Sequence, residues 1–186
     1  MKIVGWTCFL VWCVWITAVE GLLVHELPVG VLGRGLGALS PDLLVVLLLS
    51  CAARMTAGEA RVAAILAALA RSATSADSPF AIAAGAFLAV ELHGYARRRF
   101  DVEGRAIGAV VAGTAAGANA LWLAVSAALR SPLPVAGVHA PYDWFLGVAA
   151  TTALVAYVLG PYARRLPGCH FVWSGREAWD RVAPVR

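Results

Sequence analysis

From Ala106 to Leu129 the chain carries no charged residue, and the same holds from Trp144 to Ala163. Each stretch is long enough for a spanning helix, which needs about 20 mostly apolar residues to cross a hydrocarbon core of roughly 30 Å. Two such stretches in one small chain exclude most water-soluble folds. The composition agrees: of 186 residues, 61% are hydrophobic and only 14% are charged. Soluble domains run nearer 45–50% apolar and about 25% charged. The sequence therefore predicts an all-α fold, a polytopic integral membrane bundle of about six transmembrane helices.

Four further segments complete the six. The first runs over about 3–24, with Glu20 its one charge before His25 and Glu26. Its apolar run is longer than a signal-peptide core, and Ala18-Val19-Glu20 is a poor cleavage site, so an uncleaved first span is expected. The second, about 36–54, is expected to start at Ser40-Pro41-Asp42, with Ser40 as N-cap and Pro41 at the first helical position. From Pro41 to Arg54 that helix is only about 20 Å long, so Gly33, Gly35 and Gly37 are expected to enter the membrane as irregular backbone covered by protein. The third covers about 61–76 and contains Arg71. The fourth covers about 79–96, contains Glu91 and His93, and follows a turn at Asp77-Ser78-Pro79. The last two are 106–129 and 144–163. Residues 1–163 thus read as a single transmembrane domain, followed by a basic tail, 164–186. Trp173 and Trp179 in that tail fit a segment lying on the membrane surface or a solvated end.

Basic residues favour the cytoplasmic side of short loops. With both termini inside (N-in/C-in), Lys2, Arg54, Arg61, Arg97, Arg98, Arg99, Arg105, Arg164, Arg165, Arg176, Arg181 and Arg186 fall inside, and only Arg34 and Arg130 outside. Arg97, Arg98, Arg99, Arg164 and Arg165 are the expected topology determinants. Trp6, Tyr95, Tyr142, Trp144 and Tyr162 lie near span ends, as in an aromatic belt. The same distribution explains the net charge of +4 without nucleic acid, for which an alternating basic and aromatic stripe is missing. The thiols of Cys8, Cys13, Cys51 and Cys169 form no CxxC pair and are expected to be buried and inert.

Two features stand out inside the spans. Gly104 with Gly108, and Gly113 with Gly117, form two GxxxG pairs among alanines, as in helix pairs whose backbones approach closely in lipid. Their face is a candidate seam within the bundle or with a partner. Arg71, Glu91, His93 and Asn119 are polar groups in apolar surroundings, where such groups turn inward or towards a cavity. Across a hairpin of the third and fourth spans, Arg71 and Glu91 form a candidate buried pair, lying about 9 Å and 18 Å below the turn. A snorkelling Glu91, a ligand or proton site, and a partner contact are the alternatives. HExxH, GxSxG and P-loop patterns are missing, and no outer loop gathers metal ligands. No enzyme activity and no cofactor are expected.

From Ser40-Pro41-Asp42-Leu43-Leu44-Val45-Val46 onwards, the chain resembles the rod shape-determining protein MreD family. Ala52-Ala53-Arg54 and Gly58 follow in a compatible order, then Ser78-Pro79, Gly94-Tyr95 and the run Arg97-Arg98-Arg99. The layout covers about 28–163. Pro41, Asp42, Ser78 and Pro79 carry the motif. Ala73 and Ala81 stand where the family commonly has an aspartate and a glycine, so no role is transferred to those positions. The resemblance implies a non-catalytic subunit of the bacterial inner (cytoplasmic) membrane, serving the cell-elongation complex that builds lateral peptidoglycan. It implies an MreC-like bitopic partner and, through it, a RodA-like glycosyltransferase, a class B penicillin-binding protein and an MreB-like filament. A substrate-binding S component of an energy-coupling factor vitamin transporter has similar size and span number. It would require an outward cavity with converging polar groups, for which Arg34, Asp77, His139 and Asp143 are scattered candidates. A small membrane enzyme is the third reading.

Overall fold

The computed structural model describes residues 2–26, 40–102, 104–130, 142–163 and 165–172. Among these residues there is no strand. Six α-helices follow one another: α1 (Lys2–Glu26), α2 (Leu43–Ala52), α3 (Ala57–Ser72), α4 (Pro79–Arg97), α5 (Arg105–Arg130) and α6 (Tyr142–Ala163), with a short 3-10 turn at Cys169–Val172. Four helical segments are long and apolar enough to cross a membrane: Ile3–Leu22, Pro79–Arg97, Arg105–Arg130 and Phe145–Ala163. Their outward faces carry large apolar side chains such as Val11, Trp15, Val110, Leu146 and Leu154. A water-soluble bundle would bury such a set, whereas lipid solvates it, and the fold is that of an all-helical, multi-pass membrane protein.

Helix α2 sits at the centre. Every residue from Leu44 to Ala52 is buried, as expected of a helix that is apolar all round. Its ten residues span about 15 Å, roughly half of a hydrocarbon core. The helix starts later than Ser40-Pro41 predicted. Asp42 is the N-cap, its carboxylate accepting the Val45 N–H at 3.0 Å, so Pro41 lies before the helix rather than in its first turn. Residues 36–39 of the expected span, with Gly33 and Gly35, lie outside the described residues.

Helix α3 runs Ala57–Ser72 rather than 61–76 because a capping box starts it. Thr56 Oγ1 accepts from the Glu59 N–H at 3.3 Å, and Glu59 Oε2 accepts from the Thr56 N–H at 2.9 Å. That reciprocal pair satisfies two otherwise orphaned donors. Helix α4 opens at Ser78-Pro79, with Pro79 in the first turn, where its missing N–H costs nothing.

Small side chains let the helices approach. Ala63, Ala64, Ala67, Ala112, Ala115 and Ala116 are all buried, and lipid-embedded bundles pack through such residues. One close seam, backbone against backbone, joins α5 to α6. A Cβ on Gly113 would stand 2.5 Å from the Ala149 carbonyl oxygen and 2.8 Å from Ala153 Cβ, and one on Gly117 would stand 3.1 Å from Ala149 Cβ. Gly104 and Gly108 are not part of it: their Cβ positions face the Asp101 and Val102 carbonyls of the turn before α5.

The beginning of the expected tail folds back. Trp12 Nε1 donates to the Pro167 carbonyl at 3.1 Å, and Gly168, at φ +83°, abuts Cys8, a backbone conformation that favours glycine. Cys13, Cys51 and Cys169 are buried thiols, and Cys8 is half-buried. Arg164 and residues 173–186, with Trp173 and Trp179, lie outside the described residues.

Candidate functional site: a polar layer around Asp42

Helices α1, α3 and α5 finish, and α2, α4 and α6 begin, at one end of the bundle. At the other end stand Arg54, Arg61, Arg97, Arg98, Arg99, Arg105 and Arg165. By the rise of about 1.5 Å per residue, Asp42, Thr152, Asn119 and Arg71 lie about 15–21 Å along their helices from that arginine end, and Glu20 about 27 Å. They form one polar layer inside an otherwise apolar bundle.

Asp42 is its hub. Arg71 Nη1 donates to Asp42 Oδ2 at 2.8 Å, and Asn119 Nδ2 donates to the same oxygen at 3.2 Å. Asp42 Oδ1 takes the Val45 N–H. The Asp42 backbone N–H donates to Thr152 Oγ1 at 2.9 Å. Glu20 Oε1 accepts the Leu44 N–H at 2.9 Å, so a carboxylate from α1 helps Asp42 satisfy the first turn of α2. Carboxylates are favoured there by both the free N–H groups and the helix dipole. Five helices thus meet around the start of α2: α1 through Glu20, which holds Leu44, α2 itself, and α3, α5 and α6 through Arg71, Asn119 and Thr152, which hold Asp42. The approach of α5 also involves α4, because Gly85 leaves room for the Asn119 amide oxygen, which a Cβ there would strike. That oxygen accepts no hydrogen bond among the described residues.

Asp42 is 7% exposed, Asn119 5% and Thr152 0%. Burial of this kind is tolerated only when the charge is paired and its remaining lone pairs are used, and Asp42 meets both conditions. A cavity of about 670 Å³ opens beside the layer, lined by Thr17, Glu20, Asp42, Arg71, Asp77 and Asn119 among others. That volume falls in the range of small-ligand pockets, roughly 300–1,000 Å³. At its edge Asp77 faces Arg130 at 3.7 Å. Among the described residues no three His, Cys, Asp or Glu side chains come together as a metal site.

The pairing expected between Arg71 and Glu91 is corrected. Arg71 holds Asp42, while Glu91 accepts from Arg61 Nε at 2.8 Å near the arginine end. The reason is height: Arg71 lies in the last turn of α3, and Glu91 lies more than two turns further down α4. Pro41, Asp42 and Arg71 come together, whereas Ser78 and Pro79 only start α4 beside Asp77.

Within the basic run, Arg97 makes a contact inside the bundle. Arg97 Nη1 donates to the Ala52 and Met55 carbonyls at 3.3 and 3.4 Å, covering acceptors left at the end of α2. Arg99 lies 5.4 Å from the Tyr95 ring centroid, and Arg98 and Arg165 are exposed.

Two hub residues escaped the sequence reading. Thr152 carries no sequence signal, being one of two adjacent threonines in an apolar run. Glu20 carries one: it is the only charge between Ile3 and Val24, and a charge at such depth marks a polar interior.

In comparison with known proteins, the chain matches no family model, no curated protein and no solved structure. Fold and site define a class: a multi-pass helical membrane protein with a buried half-length helix capped by carboxyl side chains beside a polar cavity.

Proposed function

We propose that this chain is a non-catalytic subunit of the bacterial cell-elongation machinery in the inner membrane, crossing it six times with both ends in the cytoplasm. The observation that carries this reading is the position of Ser40-Pro41-Asp42-Leu43. The run on which the resemblance to the MreD family rests is the one that starts α2 at the hub of the bundle. Asp42 there spends its acceptors on Arg71, Asn119 and Val45, which suits a group holding helices together rather than one attacking a substrate. The partners in this reading are lipid, an MreC-like bitopic protein and, through it, RodA-like and class B penicillin-binding proteins and an MreB-like filament. Nucleic acid has no part in it.

Gentle extraction from the native membrane followed by mass spectrometry of co-purifying proteins tests the proposal. An MreC-like protein with cell-wall synthases is the expected result. Recovery of transporter ATPases and a coupling subunit would overturn it in favour of an energy-coupling factor S component. The cavity of about 670 Å³ favours that second reading, because it gathers polar groups as a solute site does.

The topology has its own test. Changing Arg97, Arg98 and Arg99 to glutamine removes the densest charge of the arginine end, so reporter fusions at the C-terminus should report mixed orientation. Yield should also fall, since Arg97 covers the end of α2. A uniformly cytoplasmic C-terminus in the variant would show that these arginines do not dominate orientation.

A further inference from the structure

A cleft at the arginine end, between the start of α3 and the end of α4, has no part in the polar layer. It encloses about 60 Å³, and Arg61, Glu91, Arg97 and Arg98 are among its lining residues. Glu91 is held by Arg61 at 2.8 Å and Arg97 Nη1 donates to the Ala52 and Met55 carbonyls, so the cleft carries three guanidinium groups against one carboxylate, with Arg98 exposed at its mouth. Ala57 and Ala60 of the first turn of α3 also line it, and the Glu59 side chain of the capping box already occupies that helix start. From this charged mouth an apolar stripe leads away along α3. Val62 is 44% exposed, Ile65 45% and Leu69 58%, with Leu88 of α4, 38% exposed, on the neighbouring helix.

We propose that this cleft is a binding site for an anionic phospholipid, with the phosphodiester headgroup among Arg61, Arg97 and Arg98 and the acyl chains along Val62, Ile65 and Leu69. Charge complementarity selects an anion. Arginine is suited to phosphate because its planar fork donates two parallel hydrogen bonds. The stripe selects a lipid over a free phosphate, since a soluble anion gains nothing from apolar side chains beside its site. Basic clefts between membrane helices are used in this way for anionic headgroups. Glu91 works against the anion by occupying Arg61, so its charge sets how tightly the headgroup is held. The inference depends on the arginine cleft alone and stands whichever of the two functional readings holds.

The test uses the full chain purified in mild detergent and titrated with phosphatidylglycerol, phosphatidylcholine or inorganic phosphate, with bound lipid counted by native mass spectrometry. Phosphatidylglycerol should be retained preferentially, and phosphate should not displace it. R61Q/R98Q should weaken retention by about fivefold for each arginine removed. E91Q should strengthen it, an effect that no loss of folding can imitate. R105Q/R165Q, at the same end but outside the cleft, should leave it unchanged. Equal retention of phosphatidylcholine, displacement by phosphate, or equal loss in R105Q/R165Q would each overturn the proposal. So would weaker retention in E91Q.

Discussion

Replacing Asp42 with alanine is expected to cost the protein most of its folded population. The substitution leaves the Arg71 guanidinium, 24% exposed, without its carboxylate. It strips the Asn119 amide of its acceptor and uncaps α2 at Val45. Removing one partner of a buried ion pair typically costs about 3–5 kcal/mol, and loss of a cap adds about 1 kcal/mol. Against a total stability on the order of 5–15 kcal/mol, that is enough to collapse the yield of monodisperse protein. Thermal melting in detergent, read by size exclusion, checks it. D42N should be milder, because the amide oxygen still caps Val45. The pair D42N/R71Q should be milder than the sum of its single changes, since no charge is left orphaned. A D42A melt close to that of the unsubstituted protein would refute the hub.

Leucine at Gly113 should produce the second large effect. Even its Cβ would stand 2.5 Å from a backbone carbonyl and 2.8 Å from Ala153 Cβ. Neither atom belongs to a flexible side-chain end, so α5 and α6 must move apart. Overpacking of this kind costs about 1–3 kcal/mol and sometimes more. Opening the seam would also pull Thr152, on α6, away from Asp42. Alanine at Gly117 meets Ala149 Cβ at 3.1 Å and should be tolerated with a shift of a few tenths of an ångström. Because the seam lies within one chain, the G113L defect should appear in protein produced without partners. Normal folding alone combined with a lost partner complex would instead place the seam between proteins.

The sequence by itself determined the solvent and the elements. Long uncharged runs at 106–129 and 144–163 have the length of spanning helices rather than of the shorter spanning strands, and a helix pairs its own backbone groups in hydrocarbon. Local chemistry marked helix starts where it was self-contained, as at Ser78-Pro79. It misjudged α2, since Ser40 and Asp42 are both competent caps. The choice fell to Asp42 because Arg71, Asn119 and Thr152 reach it there. No rule of spacing relates Asp42 to residues 29, 77 and 110 positions away. Those contacts exist because antiparallel helices bring the same height together from distant parts of the chain, which also explains why Arg71 passes over Glu91. The sequence showed that charges were buried. Only the packing of six helices decided which charge faces which, because in a low-dielectric interior the pairing must be satisfied in three dimensions at once.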